Sequence, residues 1–305
     1  MASQKKDLLI PSKLAPGDTI GIIAPAAHFD KVRFQKGVEV LESMGFRVNI
    51  PDDVFAQSGY FAGTDKQRAD ILNYLFENDS IKAIACARGG FGSIKILPFL
   101  DLDIIRNHPK IFVGFSDVSV LLNSFFEKTG LVAFHGPVVT SLSNSDQKTK
   151  DALFKAITSD IPIKINVEKP VSIFSGLASG IIAGGNLTTL SHLIGTPYMP
   201  LFKGCILFLE DTGEANYRID RMLTQMKLAG CLDSIIGVAL GSFDNCGSMD
   251  ELYGVMETIF KDFRIPILAG FDIGHGETNI TIPLGLEATL DADKGTLSFH
   301  VSAVK

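Results

Sequence analysis

Runs of lysine or arginine are missing from this chain, and its formal net charge is -6 at pH 7, which argues against a nucleic-acid backbone as its main partner. No apolar run approaches the ~20 residues that span a bilayer, because glycine, proline or charge interrupts each one; no membrane partner is expected. Cysteine is scarce: Cys86, Cys205, Cys231 and Cys246 are scattered without CxxC spacing. They are expected to be reduced structural thiols of a cytoplasmic chain. Near the N-terminus Leu8-Leu9-Ile10, stopped by Pro11, is too short for a signal-peptide core. There is no HExxH and no regular His/Cys cluster, so no metal is expected.

What is present suits a sizeable globular protein, with 305 residues, 46% hydrophobic and 20% charged. That length exceeds the size at which a single core stops growing, so two domains are expected. In residues 1–141 short apolar runs alternate with amphipathic stretches: strands are predicted over 19–26, 46–50, 81–87, 111–115 and 131–134, with helices over 31–44, 65–76, 92–97 and 117–128. This rhythm predicts βαβ units and a doubly wound, mainly parallel sheet, with ligands at the carboxyl ends of its strands. Residues 142–170 are largely polar and read as the interdomain connection, with one helix near 150–157. Residues 171–305 predict a mixed β/α domain. Its antiparallel margin is signalled by Asp293-Lys294-Gly295, a hairpin turn between two alternating runs.

Three loops at the strand ends carry unusual chemistry. Ile111-Phe112-Val113-Gly114-Phe115-Ser116-Asp117 passes from buried strand to helix at Ser116. A hydroxyl there can be a nucleophile, with N–H groups of the next turn aimed at an oxyanion; equally it can be a helix N-cap. Arg88-Gly89-Gly90-Phe91-Gly92 lacks both the Walker lysine and GxGxxG spacing, so it is not a nucleotide loop. Its glycines let a backbone N–H approach a substrate oxygen, or simply make a turn. Pro25-Ala26-Ala27 is the third loop.

A serine nucleophile needs a base and the base an orienting acceptor. Of six histidines, His28, His108 and His300 read as solvated or capping residues and His192 as a packed core histidine. His135 and His275 both follow predicted strands, and His275 lies between Gly274 and Gly276 on a loop. For the carboxylate, Glu210, Asp211 and Glu214 compete after the strand Cys205–Leu209, each also able to compensate the dipole of the helix that begins near Tyr217.

Taken in order, Gly21-Ile22-Ile23-Ala24-Pro25, Arg88-Gly89-Gly90-Phe91-Gly92, Gly114-Phe115-Ser116-Asp117, His135-Gly136-Pro137, Gly184-Gly185-Asn186-Leu187, Leu209-Glu210-Asp211 and Gly274-His275-Gly276 resemble the serine LD-carboxypeptidases over nearly the whole chain. That family includes the cytoplasmic murein tetrapeptide carboxypeptidases and the microcin immunity peptidases. The resemblance implies Ser116 as nucleophile, His275 as base and then acid, and Glu210 as orienting group, with Glu214 as second choice. It implies an oxyanion hole from the N–H groups of Gly90 and Asp117, and it removes His135 from candidacy. It further implies a homodimer without cofactors that hydrolyses the L,D bond before the terminal D-alanine of murein peptides during cell-wall recycling. Asn216-Tyr217-Arg218-Ile219-Asp220-Arg221 looks more like the carboxypeptidase branch, and Arg218 or Arg221 is a candidate contact for a substrate carboxylate. The rivals are an immunity-type hydrolase of aminoacyl-nucleotide conjugates and a two-domain binding protein without chemistry.

Overall fold

The computed structural model describes residues 8–305; the Lys5-Lys6 pair lies outside the described residues. The first sheet is built from β1 (Thr19–Ile23), β2 (Arg47–Asn49), β3 (Ile81–Cys86), β4 (Ile111–Gly114) and β5 (Ala133–His135). These five run parallel in the order β2-β1-β3-β4-β5. Helices lie between them: α1 (Lys31–Ser43), α2 (Asp65–Glu77), α3 (Ser93–Ile96), α4 (Leu102–Asn107) and α5 (Ser119–Thr129). Every residue of β4 is buried, as the unbroken run Ile-Phe-Val-Gly requires of a strand covered on both faces. Helix ends follow local chemistry: Thr64 and Gln67 form a capping box on α2, and Gly130, at φ 82°, terminates α5.

Phe76 of α2, Phe112 of β4 and Phe125 of α5 pack with ring centroids 5.0 to 6.1 Å apart. Each is fully buried and contributes about 1.5–3 kcal/mol. The cluster clamps the β4-to-α5 corner from beneath, so the segment that carries Ser116 is anchored at both ends.

The chain continues through α6 (Val139–Leu142) and α7 (Gln147–Thr158) into the second sheet. Its strands are β6 (Lys164–Asn166), β7 (Val171–Phe174), β8 (Leu177–Asn186), β9 (Cys205–Thr212), β10 (Gly237–Asp244) and β11 (Ile267–Ala269). After β12 (Ile282–Leu284) come the hairpin strands β13 (Glu287–Asp291) and β14 (Thr296–Phe299). The helices α8 (Leu187–Ser191), α9 (Asn216–Leu228) and α10 (Met249–Phe260) lie between strands of this half. The sheet order is β6-β14-β13-β8-β9-β10-β11-β7, with β8 to β11 parallel and both margins antiparallel. The fold is thus two-domain α/β, with a mainly parallel first sheet and a mixed second one.

Two strands cross the expected division of the chain. β6, within the polar stretch 142–170, forms the edge of the second sheet, and β12 leaves that half to pair antiparallel with β5, setting Ile282 opposite His135. Between the sheets, Asn123 of α5 accepts from Gly184 N at 3.0 Å and donates to Gly184 O at 2.7 Å, while Ser119 Oγ accepts from Asn186 N at 3.1 Å. Gly184 and Gly185 sit at φ 133° and 137° against Phe208 and Ser119, where no side chain fits.

Candidate active site

Ser116 begins a single 3-10 turn, Ser116–Val118, that leads from β4 into α5. Its φ is 64°, one of three positive values among the described non-glycine residues. A serine in this left-handed region is strained by about 1–3 kcal/mol, the geometry of a nucleophile elbow rather than of a cap. Its side chain caps neither the turn nor α5, so the alternative reading as an N-cap is set aside. Ser116 lines a cleft of about 340 Å³ together with Arg33, Arg88, Gly89, Gly90 and His275.

The glycine loop is pressed against this corner. A Cβ on Gly89 would lie 2.9 Å from Ser116 Cβ and 3.1 Å from its Oγ, so only glycine passes there. Gly90 follows at φ 108°. Two buried groups hold the loop from behind. The Asp117 carboxylate accepts from Ser93 N at 2.8 Å; burial raises its pKa, partly offset by the hydrogen bonds from Ser93 and Gly92 and by the Arg68 charge. Arg68, fully buried on α2, donates to Gly92 O at 3.0 Å and to Pro25 O, joining two of the three loops. Sequence reading passed over Arg68. Its signal was an arginine within the apolar stripe Arg68, Ile71, Leu72, Leu75 of an amphipathic helix.

Glu210, on β9, is completely buried, and its Oε2 lies 2.6 Å from His275 Nδ1. The His275 loop is fastened by Gly274 N to Asn279 Oδ1 at 3.0 Å and Gly276 N to Ser242 Oγ at 3.0 Å. Gly274, at φ 118°, is forced: a Cβ would come within 2.6 Å of Glu210 Oε2. Burial opposes ionisation of Glu210, yet the histidines beside it, His275 in hydrogen-bond contact and His135 nearby, outweigh burial and lower its carboxyl pKa. Conversely, burial works to lower the His275 pKa, but the hydrogen bond and charge of Glu210 raise it.

Glu214 has no part in this pair; it lies 3.4 Å from Arg218, which also stacks on Tyr217. Asp211 is occupied by Asn186, Thr188 and Thr212. Arg218 and Arg221 are exposed on α9 and line neither lobe of the cleft. Among the histidines one correction is needed: His192 is not packed in a core but exposed at the end of α8, because that helix stops at Ser191. His135 is fully buried, with Nε2 3.8 Å from Glu210 Oε1.

A second lobe of about 290 Å³ adjoins the first; Arg33, Phe115, Thr140, Ser141 and His275 line both. The Phe115 ring lies 4.7 Å from that of His275. Arg88 donates to His28 O at 2.8 Å, whereas Arg33, on the first turn of α1, faces both lobes. Arg33 was not singled out by sequence, where a surface cation has no distinguishing pattern. Among the described residues no group of three or more His, Cys, Asp and Glu converges as a metal site would, and no helix is long and apolar enough to cross a membrane.

Residues 20–136 match the LD-carboxypeptidase N-terminal domain and residues 179–290 the LD-carboxypeptidase C-terminal domain. The chain belongs to the LD-carboxypeptidase family. It is 36% identical over 296 residues to a probable murein peptide carboxypeptidase of Bacillus subtilis, covering 94% of this chain and 92% of that protein. It is 34% identical to the microcin C7 self-immunity protein MccF of Escherichia coli, over 95% of each. The structure of muramoyltetrapeptide carboxypeptidase from Oxalobacter formigenes superposes with a TM-score of 0.82 at 28% identity, over 93% of this chain and 98% of that one. In this member of the LD-carboxypeptidase family both family segments contribute to one site: Ser116 and Gly90 come from the first, and His275 with its buried partner Glu210 from the second.

Proposed function

We propose that this chain is a serine carboxypeptidase that hydrolyses the L,D peptide bond releasing terminal D-alanine from murein tetrapeptides, in the cytoplasmic recycling of wall fragments. The observation that carries the reading is the His275–Glu210 pair at 2.6 Å in the cleft that also exposes the strained Ser116. Ser116 Oγ attacks the scissile carbonyl and passes its proton to His275 Nε2, while Glu210 holds the ring through Nδ1 and stabilises the imidazolium. The N–H groups of Gly90 and Asp117 receive the oxyanion. His275 then gives the proton to the departing amine of D-alanine, leaving an ester on Ser116. Water, deprotonated by the same histidine, cleaves that ester and restores the serine.

Mass-spectrometric detection of free D-alanine from a tetrapeptide, with and without chelator, tests this directly. Ser116→Ala should keep its fold and lose about 10⁴-fold or more in turnover. Normal turnover by that variant would sink the assignment, and loss of wild-type activity with chelator would remove the metal-free mechanism. The likeness to the microcin self-immunity protein supports a second reading, hydrolysis of aminoacyl-nucleotide conjugates; faster turnover of an aminoacyl sulfamoyl adenosine than of the tetrapeptide would favour it. The homodimer belongs to the same proposal, and light scattering of the purified chain decides it.

A further inference from the structure

Glu210 has two oxygens, and the proposed chemistry uses one. Oε2 meets His275, but Oε1 is buried without a hydrogen-bond partner. His135 is equally deprived: it is 0% exposed, and neither Nδ1 nor Nε2 has a hydrogen-bond partner. Buried polar groups are nearly always paired, and these two are complementary, since an ionised carboxylate only accepts and a neutral imidazole carries one N–H. They face each other at 3.8 Å, too far for a hydrogen bond as they stand. An approach of about 1 Å would make one.

Aromatic rings enclose His135 on two sides. Phe115 and Phe208 pack on it with ring centroids at 6.0 and 5.0 Å, and Gly185 brings only backbone. Glu210 is its charged neighbour; on the other side of Glu210, His275 feels the charges of Asp211 and Asp244 as well. The contact also crosses the fold. His135 ends β5 of the sheet that carries Ser116, and Glu210 lies on β9 of the other sheet.

We propose that His135 is a positioning residue: as the Nε2–H tautomer it donates to Glu210 Oε1 when substrate draws the two side chains together, and so fixes the carboxylate that orients His275. This rests on the Ser116-His275-Glu210 reading and extends it. The pair ties the geometry of the base to β5, in the sheet that holds the nucleophile. A donor aimed at the Glu210–His275 pair also favours the form that has lost its proton.

The test compares wild type, His135→Phe and His135→Gln, all full length, in D-alanine release across pH. His135→Phe keeps a ring and removes the donor; kcat should fall about 10–100-fold with KM little changed, and the acid limb of kcat/KM should move up by about half a unit or more. His135→Gln restores an N–H, and should recover much of the rate and return the limb toward wild type. A packing role predicts the reverse, Phe tolerated and Gln not, and that outcome overturns the proposal. A readout independent of turnover comes from ¹⁵N-histidine NMR of the wild type. The His135 ring should carry its proton on Nε2 and shift in Glu210→Gln; an Nδ1–H ring, or one that ignores the substitution, overturns the proposal too. Wild type that releases no D-alanine and leaves Ser116 unlabelled by a fluorophosphonate refutes the hydrolase reading alone, and the spectrum then decides for His135.

Discussion

His275 Nδ1 lies 2.6 Å from Glu210 Oε2, a contact between residues 65 positions apart in the chain. Glu210 is wholly buried and the His275 side chain is 19% exposed, so one end of the imidazole is held in the interior while the other reaches the cleft. A carboxylate this deep survives as an anion because the hydrogen bond and charge of His275, with His135 close by, offset the cost of burial.

The pair sets the pH dependence. A base acts only when neutral, and Glu210 raises the His275 pKa above 6.5. The kcat/KM of the wild type should therefore fall on the acid side with a midpoint above 6.5. In Glu210→Gln that hydrogen bond and charge are gone, leaving burial opposed only by the charges of Asp211 and Asp244, so the midpoint should move down from the wild-type position. The plateau should fall by about 10⁴-fold, as when a triad carboxylate becomes an amide that holds the wrong tautomer. A full pH profile of D-alanine release for both proteins checks the two signs.

Gly274→Ala attacks the same geometry through the backbone. The added methyl meets Glu210 Oε2 and Ser242 Oγ at 2.6 and 2.8 Å, at a φ of 118°. A displacement of about 1 Å costs roughly 10²-fold in rate. That loss is expected together with a lowered urea midpoint, and unchanged activity would show that the loop adapts.

Arg33 faces both lobes of the cleft, and a carboxypeptidase substrate ends in a carboxylate. A hydrogen bond to a charged group is worth about 1.5–3 kcal/mol. Arg33→Ala should thus raise KM about 10–100-fold and leave kcat nearly as it was. Steady-state kinetics on the tetrapeptide would refute this if kcat fell instead.

Asn123 fastens α5 to Gly184 through both its amide atoms and is buried. In Asn123→Ala the backbone N–H and C=O of Gly184 lose these partners inside the protein. A loss of about 2 kcal/mol or more is expected, read from the urea midpoint at constant slope.

Much of this could be read along the chain. The strand-helix alternation of residues 19–135 marked the parallel sheet, because burial on both faces demands continuous apolar runs. The turn at Asp293-Lys294-Gly295 marked the antiparallel margin, now β13 and β14. Ser116 stood out as a corner, yet cap and elbow share one pattern, and the sign of φ separates them. His192 was misread because an apolar context does not say where a short helix ends.

Sequence by itself determined the elements, the loops at their ends and the residue types those loops present, since each follows from periodicity and turn chemistry within a few neighbours. Tertiary structure alone decided which acidic residue faces His275. Glu210 and Glu214 sit four positions apart in one acidic stretch; the first points inward from β9 toward the His275 loop, and the second pairs with Arg218 at the surface. It also brought His135 to Glu210, across two sheets whose strand order no local pattern records. Such pairings depend on how sheets stack, and that is settled by burial of the whole core rather than by any segment.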